Sequence, residues 1–199
     1  HQVFDMSYDY DVWPWYEGVL AGKVTLREYA GILNYQELTY PNSYVKARYL
    51  ENHDTPRGAS WMHSDTQLDN WLAFLYFQRG ATMLYSGMEY APCERVDFFE
   101  NQSNYGDMRR DVQLQLRKLK EIKETLPITG GYWLEETDGL MLGHYEGPEG
   151  KVLGVFDLLE RGAGRVKVAL PDGTYQNRLG GTVTVTDGHL AFDGAPVVI

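Results

Sequence analysis

Cysteine, positive charge and long apolar runs are all scarce in this 199-residue chain. The single cysteine, Cys93, excludes a disulfide framework within the chain. Lys and Arg number 18 against 28 Asp and Glu, so the formal net charge is -10. That balance argues against a nucleic-acid partner and against an anionic membrane surface, because both need clustered cations. No run of 18 apolar residues occurs, so no membrane span is expected.

The start of the chain says little about where the protein acts. The chain begins with His1 rather than methionine, so residues upstream of it are expected to be missing, and with them any targeting segment. The sequence therefore leaves the compartment open between cytoplasm, periplasm and the cell exterior.

Aromatic residues are plentiful, at 14% of the chain with 15 Tyr and 5 Trp. Many are expected in the core. Tyr and Trp are also typical of sugar-binding clefts, where a flat ring packs on a sugar and a polar tip bonds its hydroxyls. A neutral glycan therefore fits both the charge and the aromatic content.

Residues 1–126 alternate between short apolar runs and segments of helical periodicity. Strands are predicted at 2–6, 45–51 and 81–86, and helices near 26–38, 68–78 and 110–126, with residues 7–20 read as an aromatic, acidic loop. Thr25 to Glu28 and Ser64 to Gln67 have the form of capping boxes. This β, α, β, α, β, α order predicts parallel strands joined by crossovers.

The pattern changes after Pro127, where glycines multiply and helical periodicity stops. Turn signals such as Asp138-Gly139 and Asp187-Gly188 separate short strands. The strands are predicted at 132–135, 140–145, 152–158, 165–169, 182–186 and 197–199. The fold class is therefore α/β followed by all-β, with an antiparallel sandwich at 128–199.

The most informative stretch follows the second predicted strand: Glu51-Asn52-His53-Asp54-Thr55-Pro56-Arg57. A carboxylate, an imidazole and a guanidinium here would lie at the mouth of a parallel sheet or barrel, where such folds carry their chemistry. The alternative is structural, with Asn52 and Asp54 as turn residues and Thr55-Pro56 as a helix start.

This motif resembles the fourth sequence region of the alpha-amylase family of glycoside hydrolases. Gly80 to Glu89 resembles the family's eighth barrel strand, and a strand-rich tail follows in the right order. The resemblance implies that residues 1–127 are the last three βα units of a TIM-type (β/α)8 barrel. It implies that residues 128–199 are a Greek-key sandwich, expected to be a stabilising domain without chemistry of its own.

The resemblance also implies roles for individual residues. Asp54 matches a catalytic carboxylate that supports the transition state, and His53 matches a residue that contacts the sugar. Asn52, Arg57 and Tyr8 are further candidates for substrate binding, although Arg57 could pair elsewhere and Tyr8 could pack over the rim. The substrate would be an α-glucan such as starch or a maltooligosaccharide.

Nothing in this chain resembles the family motifs that carry the nucleophile and the general acid of a retaining glycosidase. The chain alone is therefore expected to be inactive and to self-associate through exposed sheet edges. The alternatives are a transglycosylase or isomerase of the same family, or a non-catalytic carbohydrate-binding relative. No cofactor is expected, and no metal: Asp5, Asp9 and Asp11 suggest calcium in an intact parent protein, but solvated loop acids account for them as well.

Overall fold

The computed structural model describes residues 4–41, 43–95, 108–148 and 150–199. Within them lie four α-helices: α1 (Trp13–Leu20), α2 (Leu26–Thr39), α3 (Asp65–Phe77) and α4 (Gln113–Glu124). The strands are β1 (Met6–Tyr8), β2 (Val45–Arg48), β3 (Ala81–Thr82), β4 (Gly131–Thr137), β5 (Leu140–Gly147), β6 (Gly150–Phe156), β7 (Gly164–Lys167), β8 (Gly173–Gln176), β9 (Thr182–Thr186), β10 (His189–Phe192) and β11 (Val197–Val198). Gln2 and Val3, which the sequence assigned to the first strand, lie outside the described residues.

The first half contains a three-stranded parallel sheet in the order β1-β2-β3, with helices in the connections. This agrees with the alternation read from the sequence. The bounds differ from the prediction: β1 runs to Tyr8 rather than ending at Met6, whereas β2 ends at Arg48 rather than Glu51 and β3 at Thr82 rather than Ser86. Beyond Arg48 the backbone bonds within its own loop, as in the bond from the Asn52 amide to Thr55 Oγ1.

The helices begin largely where the capping residues predict. Thr25 and Glu28 form a complete capping box at the start of α2. Ser64 accepts a bond from the Gln67 amide at the start of α3, but the Gln67 side chain bonds the amide of His63 instead of closing the box. In the part of the chain that the structure describes, no helix combines the length and apolar character that crossing a lipid bilayer requires.

Helix α1 corrects the prediction of a loop over residues 7–20. Pro14 lies in its first turn, where its missing N–H costs nothing. Val12, Tyr16 and Val19 then form a buried stripe at helical spacing. Flanking Asp and Trp residues obscured this short stripe in the sequence.

Residues 131–198 form two antiparallel four-stranded sheets, in the orders β11-β6-β5-β4 and β7-β10-β9-β8. In the second sheet three hairpin-connected strands are followed by a return to β7, which is a Greek-key arrangement. All six predicted strands are present, whereas β8 and β10 were not predicted. Side chains such as Leu142 and Leu190 fill the space between the sheets.

The two halves share a core. The ring of Phe77 at the end of α3 lies 5.2 Å from Tyr145 and 5.3 Å from Phe156, centroid to centroid. A side chain on Gly143 or Gly154 would collide with this ring, so both glycines make room for it. Asn34 of α2 bonds the backbone N–H and C=O of Leu134 at 2.8 and 2.7 Å and so closes part of the outer edge of β4.

Candidate active site

The Glu51–Arg57 motif forms a tight loop at the carboxyl end of β2. The Asp54 amide donates to Asn52 Oδ1 at 2.8 Å, and the Asn52 amide donates to Thr55 Oγ1 at 2.8 Å. These bonds are those of an Asx-type turn, as the structural reading of Asn52 predicts. No α-helix begins at Thr55-Pro56, and the next helical turn is the short 3-10 segment Gly58–Trp61. The Asx-type turn projects the side chains of His53 and Asp54 into solvent, 53% and 60% exposed.

Asp54 is held by a residue from the neighbouring strand. Tyr10, two residues beyond β1, donates its hydroxyl to Asp54 Oδ2 at 2.7 Å, and Asn52 Nδ2 donates to the Tyr10 oxygen at 3.2 Å. The bond to Asp54 raises the pKa of the Tyr10 hydroxyl, which keeps it a donor. His53 Nε2 lies 3.4 Å from the same carboxylate oxygen.

Sequence reasoning missed Tyr10. The available signal was positional: Tyr10 and Asp54 both follow parallel strands by a few residues, so both reach the same edge of the sheet. No sequence motif links Tyr10 to Asp54, because the two residues lie far apart in the chain.

An aromatic cluster adjoins the loop on the β1 side. The Tyr49 ring lies 5.8 Å from Tyr10 and 6.0 Å from Tyr8, and it stacks on Trp13 at 5.1 Å. Tyr8 is 44% exposed and packs 5.7 Å from Tyr10. The structure thus places Tyr8 beside the residue that holds Asp54, and its role in substrate binding stays a prediction.

Arg57 lies behind the loop rather than at its surface. Its Nη1 donates to Glu51 Oε1 at 2.7 Å and to the Ser86 carbonyl at 2.9 Å, and both side chains of this ion pair are almost fully buried. Glu51 Oε2 accepts from the Gly58 amide at 2.6 Å, so the pair joins the two ends of the loop. Burial raises the pKa of the Glu51 carboxyl, and Arg57 opposes the shift.

The acidic residues near β1 are engaged by cations and amides of the chain itself. Arg48 Nη1 donates to the buried Asp9, and Lys46 Nζ donates to Asp11 at 2.9 Å, as does Gln36 at 2.8 Å. Burial acts to raise the pKa of Asp11, but the bonds from Lys46 and Gln36 prevail and lower it to about 2. Among the described residues, no cluster of three or more His, Cys, Asp or Glu could hold a metal ion.

One cavity lies away from Asp54, at the amino end of the same sheet. It encloses about 490 Å³, and Lys46 and Gly80, which lie at the starts of β2 and β3, are among its lining residues. Its cations are paired, as in the 3.1 Å bond between Arg79 and Glu37. The cluster around Asp54 is thus an open surface in this structure, suited to accept hydroxyl hydrogen bonds and to stabilise positive charge.

Residues 134–199 match the family model of the bacterial alpha amylase C-terminal domain. No curated protein sequence matched the chain. Among solved structures, an alpha-amylase from Lactobacillus plantarum is similar over 100% of this chain and 48% of its own, with 34% identity and a TM-score of 0.93.

Two further structures extend the comparison. A noncanonic maltogenic alpha-amylase from Thermotoga neapolitana has 25% identity and a TM-score of 0.80 over 99% of this chain and 50% of its own. An alpha-amylase from Geobacillus thermoleovorans, complexed with acarbose, shares the fold at 20% identity and a TM-score of 0.69, over 88% of this chain and 43% of its own. The chain thus spans about half the length of these proteins. It corresponds to the C-terminal half of the similar proteins. The C-terminal domain match and the likeness along the whole chain show that the chain belongs to the alpha-amylase family.

Proposed function

We propose that residues 1–127 are the last three βα units of a (β/α)8 barrel and that residues 128–199 are a distinct sandwich domain. The three parallel strands with helices in their connections support the first part. Parallel sheets with both faces covered are typical of doubly wound folds and of closed barrels, and β1 and β3 each have one edge free to pair among the described residues. Five further strands would pair both edges and close the barrel.

The protein that contains this chain would be a retaining, α-glucan-active glycoside hydrolase in which Asp54 supports the transition state. The observation that carries this proposal is the geometry of Asp54: an exposed carboxylate at the carboxyl end of β2, held by Tyr10 beyond the adjacent strand. Functional residues of parallel barrels occupy this position.

Asp54 would act through its charge. Glycoside cleavage passes through an oxocarbenium-like sugar, and a fixed carboxylate beside it in a partly dried cleft contributes several kcal/mol, as an order of magnitude. Asn52 and Tyr10 would fix that carboxylate, and His53 would bond a sugar hydroxyl. The Glu51–Arg57 pair would hold the loop from behind.

The nucleophile and the general acid would come from upstream barrel strands, as the family resemblance implies. The substrate class follows the same reasoning and suits the names of the similar proteins, one maltogenic and one complexed with acarbose. Products from maltooligosaccharides would distinguish hydrolysis from glycosyl transfer or isomerisation.

The test replaces Asp54 by Asn in the full-length enzyme. The side chain keeps its shape and one acceptor but loses its charge, so kcat should fall roughly a hundredfold or more, equivalent to about 2.7 kcal/mol of barrier, with a much smaller change in KM. Asp65→Asn is the matched control. Asp65 is also exposed, at 53%, but it lies at the start of α3 and pairs with Arg109.

A purely structural Asp54 predicts the opposite pattern. Loss of a turn or cap residue costs about 0.5–2 kcal/mol of stability and leaves turnover near normal. If Asp54→Asn melts early and keeps its kcat, the catalytic role is wrong.

A further inference from the structure

Trp133 and His144 form a stacked pair across strands β4 and β5. They are direct neighbours in the antiparallel register, and their rings lie 4.6 Å apart with only 5° between their planes. Trp133 is 39% exposed and belongs to neither hydrophobic core of the described residues. A large indole is thus displayed at the surface where the core makes no use of it.

The pair continues the inner face of the sandwich beyond its cover. Along β5, Leu140 and Leu142 point toward the second sheet and are fully buried. His144 lies on the same face but is 17% exposed, and Glu146, two residues further, is exposed. Cover therefore decreases along this face toward Trp133 and His144, and the ring pair lies where the inner face of the sandwich becomes exposed.

No strand lies on the outer side of the indole among the described residues, and α2 bonds the edge of β4 at Leu134 and Glu136, whose side chains point to the opposite face from Trp133. Strand β4 is the last strand of its sheet among the described residues, and His144 lies on the inner side of Trp133. The 4.6 Å ring separation matches the spacing of neighbouring strands, so the rings stack along the direction of strand pairing. One face of the indole is thus backed by imidazole, and the other points away from β5.

A carboxylate flanks this platform. His144 Nε2 lies 2.9 Å from Glu135 Oε1, and Glu135 follows Trp133 by two residues and so shares its face. Burial lowers the pKa of His144, and Glu135 opposes the shift. The Glu135 side chain is 50% exposed, so it can still accept a hydrogen bond from a ligand.

We propose that Trp133 is a second saccharide-binding platform, on which one glucose unit of an α-glucan packs against the indole while Glu135 accepts one of its hydroxyls. A sugar ring offers an apolar C–H face and peripheral hydroxyls, which match a flat ring beside a carboxylate. The rings are already stacked, so binding orders few side chains. The -10 net charge and the carboxylate at the rim favour a neutral ligand over an anionic one.

This inference rests on the proposed function for its ligand class, but it uses a separate part of the molecule. Trp133 lies on the sandwich, whereas Asp54 follows the parallel strand β2. The pair at Trp133 would hold a long glucan on the enzyme without taking part in cleavage. If Trp133 only stabilises the edge strand, its loss lowers stability and leaves glucan binding unchanged.

The experiment is native affinity electrophoresis of the full-length enzyme in gels containing soluble starch. All proteins carry Asp54→Asn, so that digestion of the gel matrix is slowed at least about a hundredfold. Trp133→Ala should weaken retention about tenfold or more in apparent Kd. The control Tyr35→Ala, which removes a 60% exposed aromatic from α2, should match its parent.

Thermal melting accompanies each variant. If Trp133→Ala does not fold, Trp133→Leu keeps apolar cover over the strand but has no flat ring, and should lose retention equally. Retention equal to the parent in either folded variant overturns the proposal. Failure of the proposed function gives a different result, because the enzyme without any substitution would then neither cleave starch nor be retained by it. Failure of the Trp133 proposal alone leaves both cleavage and retention in place.

Discussion

The two halves of the chain differ in how completely they satisfy their own polar groups. In the described residues, every buried side-chain nitrogen or oxygen without a hydrogen-bond partner belongs to the parallel half, among them Nε and Nη2 of Arg57, Nε of Arg79 and Oγ1 of Thr82. None belongs to residues 131–199. Native structures pair nearly all such groups. The polar side chains buried in the sandwich are thus all paired among the described residues, in part by the parallel half, as in the bond from the Tyr145 hydroxyl to the Phe77 carbonyl. The parallel half instead buries several polar side-chain atoms without a partner.

The largest expected effect concerns the activity of this chain on its own. The 199-residue chain alone should hydrolyse starch or maltotriose at least about a millionfold more slowly than the full-length enzyme, because two of the three family carboxylates match nothing in it and an open cleft positions no substrate. Release of reducing sugar measures both rates. Cleavage by the pure chain at a rate near the enzyme's would remove the contrast between the halves.

Arg57 tests the buried charge of the parallel half. Replacing it by Ala leaves Glu51 buried without its partner and should lower the free energy of unfolding by about 3–5 kcal/mol. Arg27→Ala is the matched control, because it breaks the Arg27–Glu136 pair, whose arginine is 81% exposed, and should cost less than about 1 kcal/mol. Urea unfolding of the full-length protein measures both. Equal losses would mean that the buried pair does not support the loop.

The junction between the halves is tested by two glycines. A Cβ on Gly143 would lie 2.5 Å from the Phe77 ring, which is enclosed by Tyr145 and Phe156, so Gly143→Ala should destabilise by about 1–3 kcal/mol. Gly31→Ala on α2 meets no atom within 4 Å and should stabilise by up to about 1 kcal/mol, because alanine favours the helix. Melting temperatures should move in opposite directions. A neutral Gly143→Ala would show that the halves pack loosely.

The smallest effect concerns Asp11. Its pKa of about 2 lies below the ordinary 3.8, so its ion pair with Lys46 stabilises the fold above about pH 4 and is lost as the pH falls toward 2. Because the side chain is 43% exposed, solvent screening limits the gain to about 1 kcal/mol or less. The stability gap between wild type and Asp11→Asn should therefore be full at pH 6, shrink below about pH 4 and close only below about pH 2. A constant gap would contradict the assignment.

Local chemistry made much of the fold predictable. The Thr25–Glu28 box and the Ser64 cap fixed two helix starts, and turn signals between short strands located six strands of the sandwich. Helix α1 was missed because its buried stripe is only two turns long. Strand β8 was missed because Tyr175 is its one apolar side chain. Strand β10 was missed although Leu190 and Phe192 alternate on its buried face, because its four residues lie between two turn signals.

The site was less predictable than the fold. The motif gave His53 and Asp54, and the structure places both at the surface of the loop. The bond from Tyr10 depends on packing between strands, which no local pattern encodes. The burial of Arg57 against Glu51 depends on the loop folding back over its own start. Trp133 and His144 are eleven residues apart, and only the hairpin register joins them.

Asn34 gives the chain an order of assembly. The β4–β5 hairpin joins neighbouring residues and can form early, whereas the two bonds from Asn34 to Leu134 bridge 100 positions of sequence. Until α2 docks, the outer edge of β4 has backbone groups open to a strand of another molecule. The Asn34 side chain thus protects the edge of β4 from pairing with another molecule once α2 has docked. Its loss should raise aggregation during refolding far more than it lowers the melting temperature.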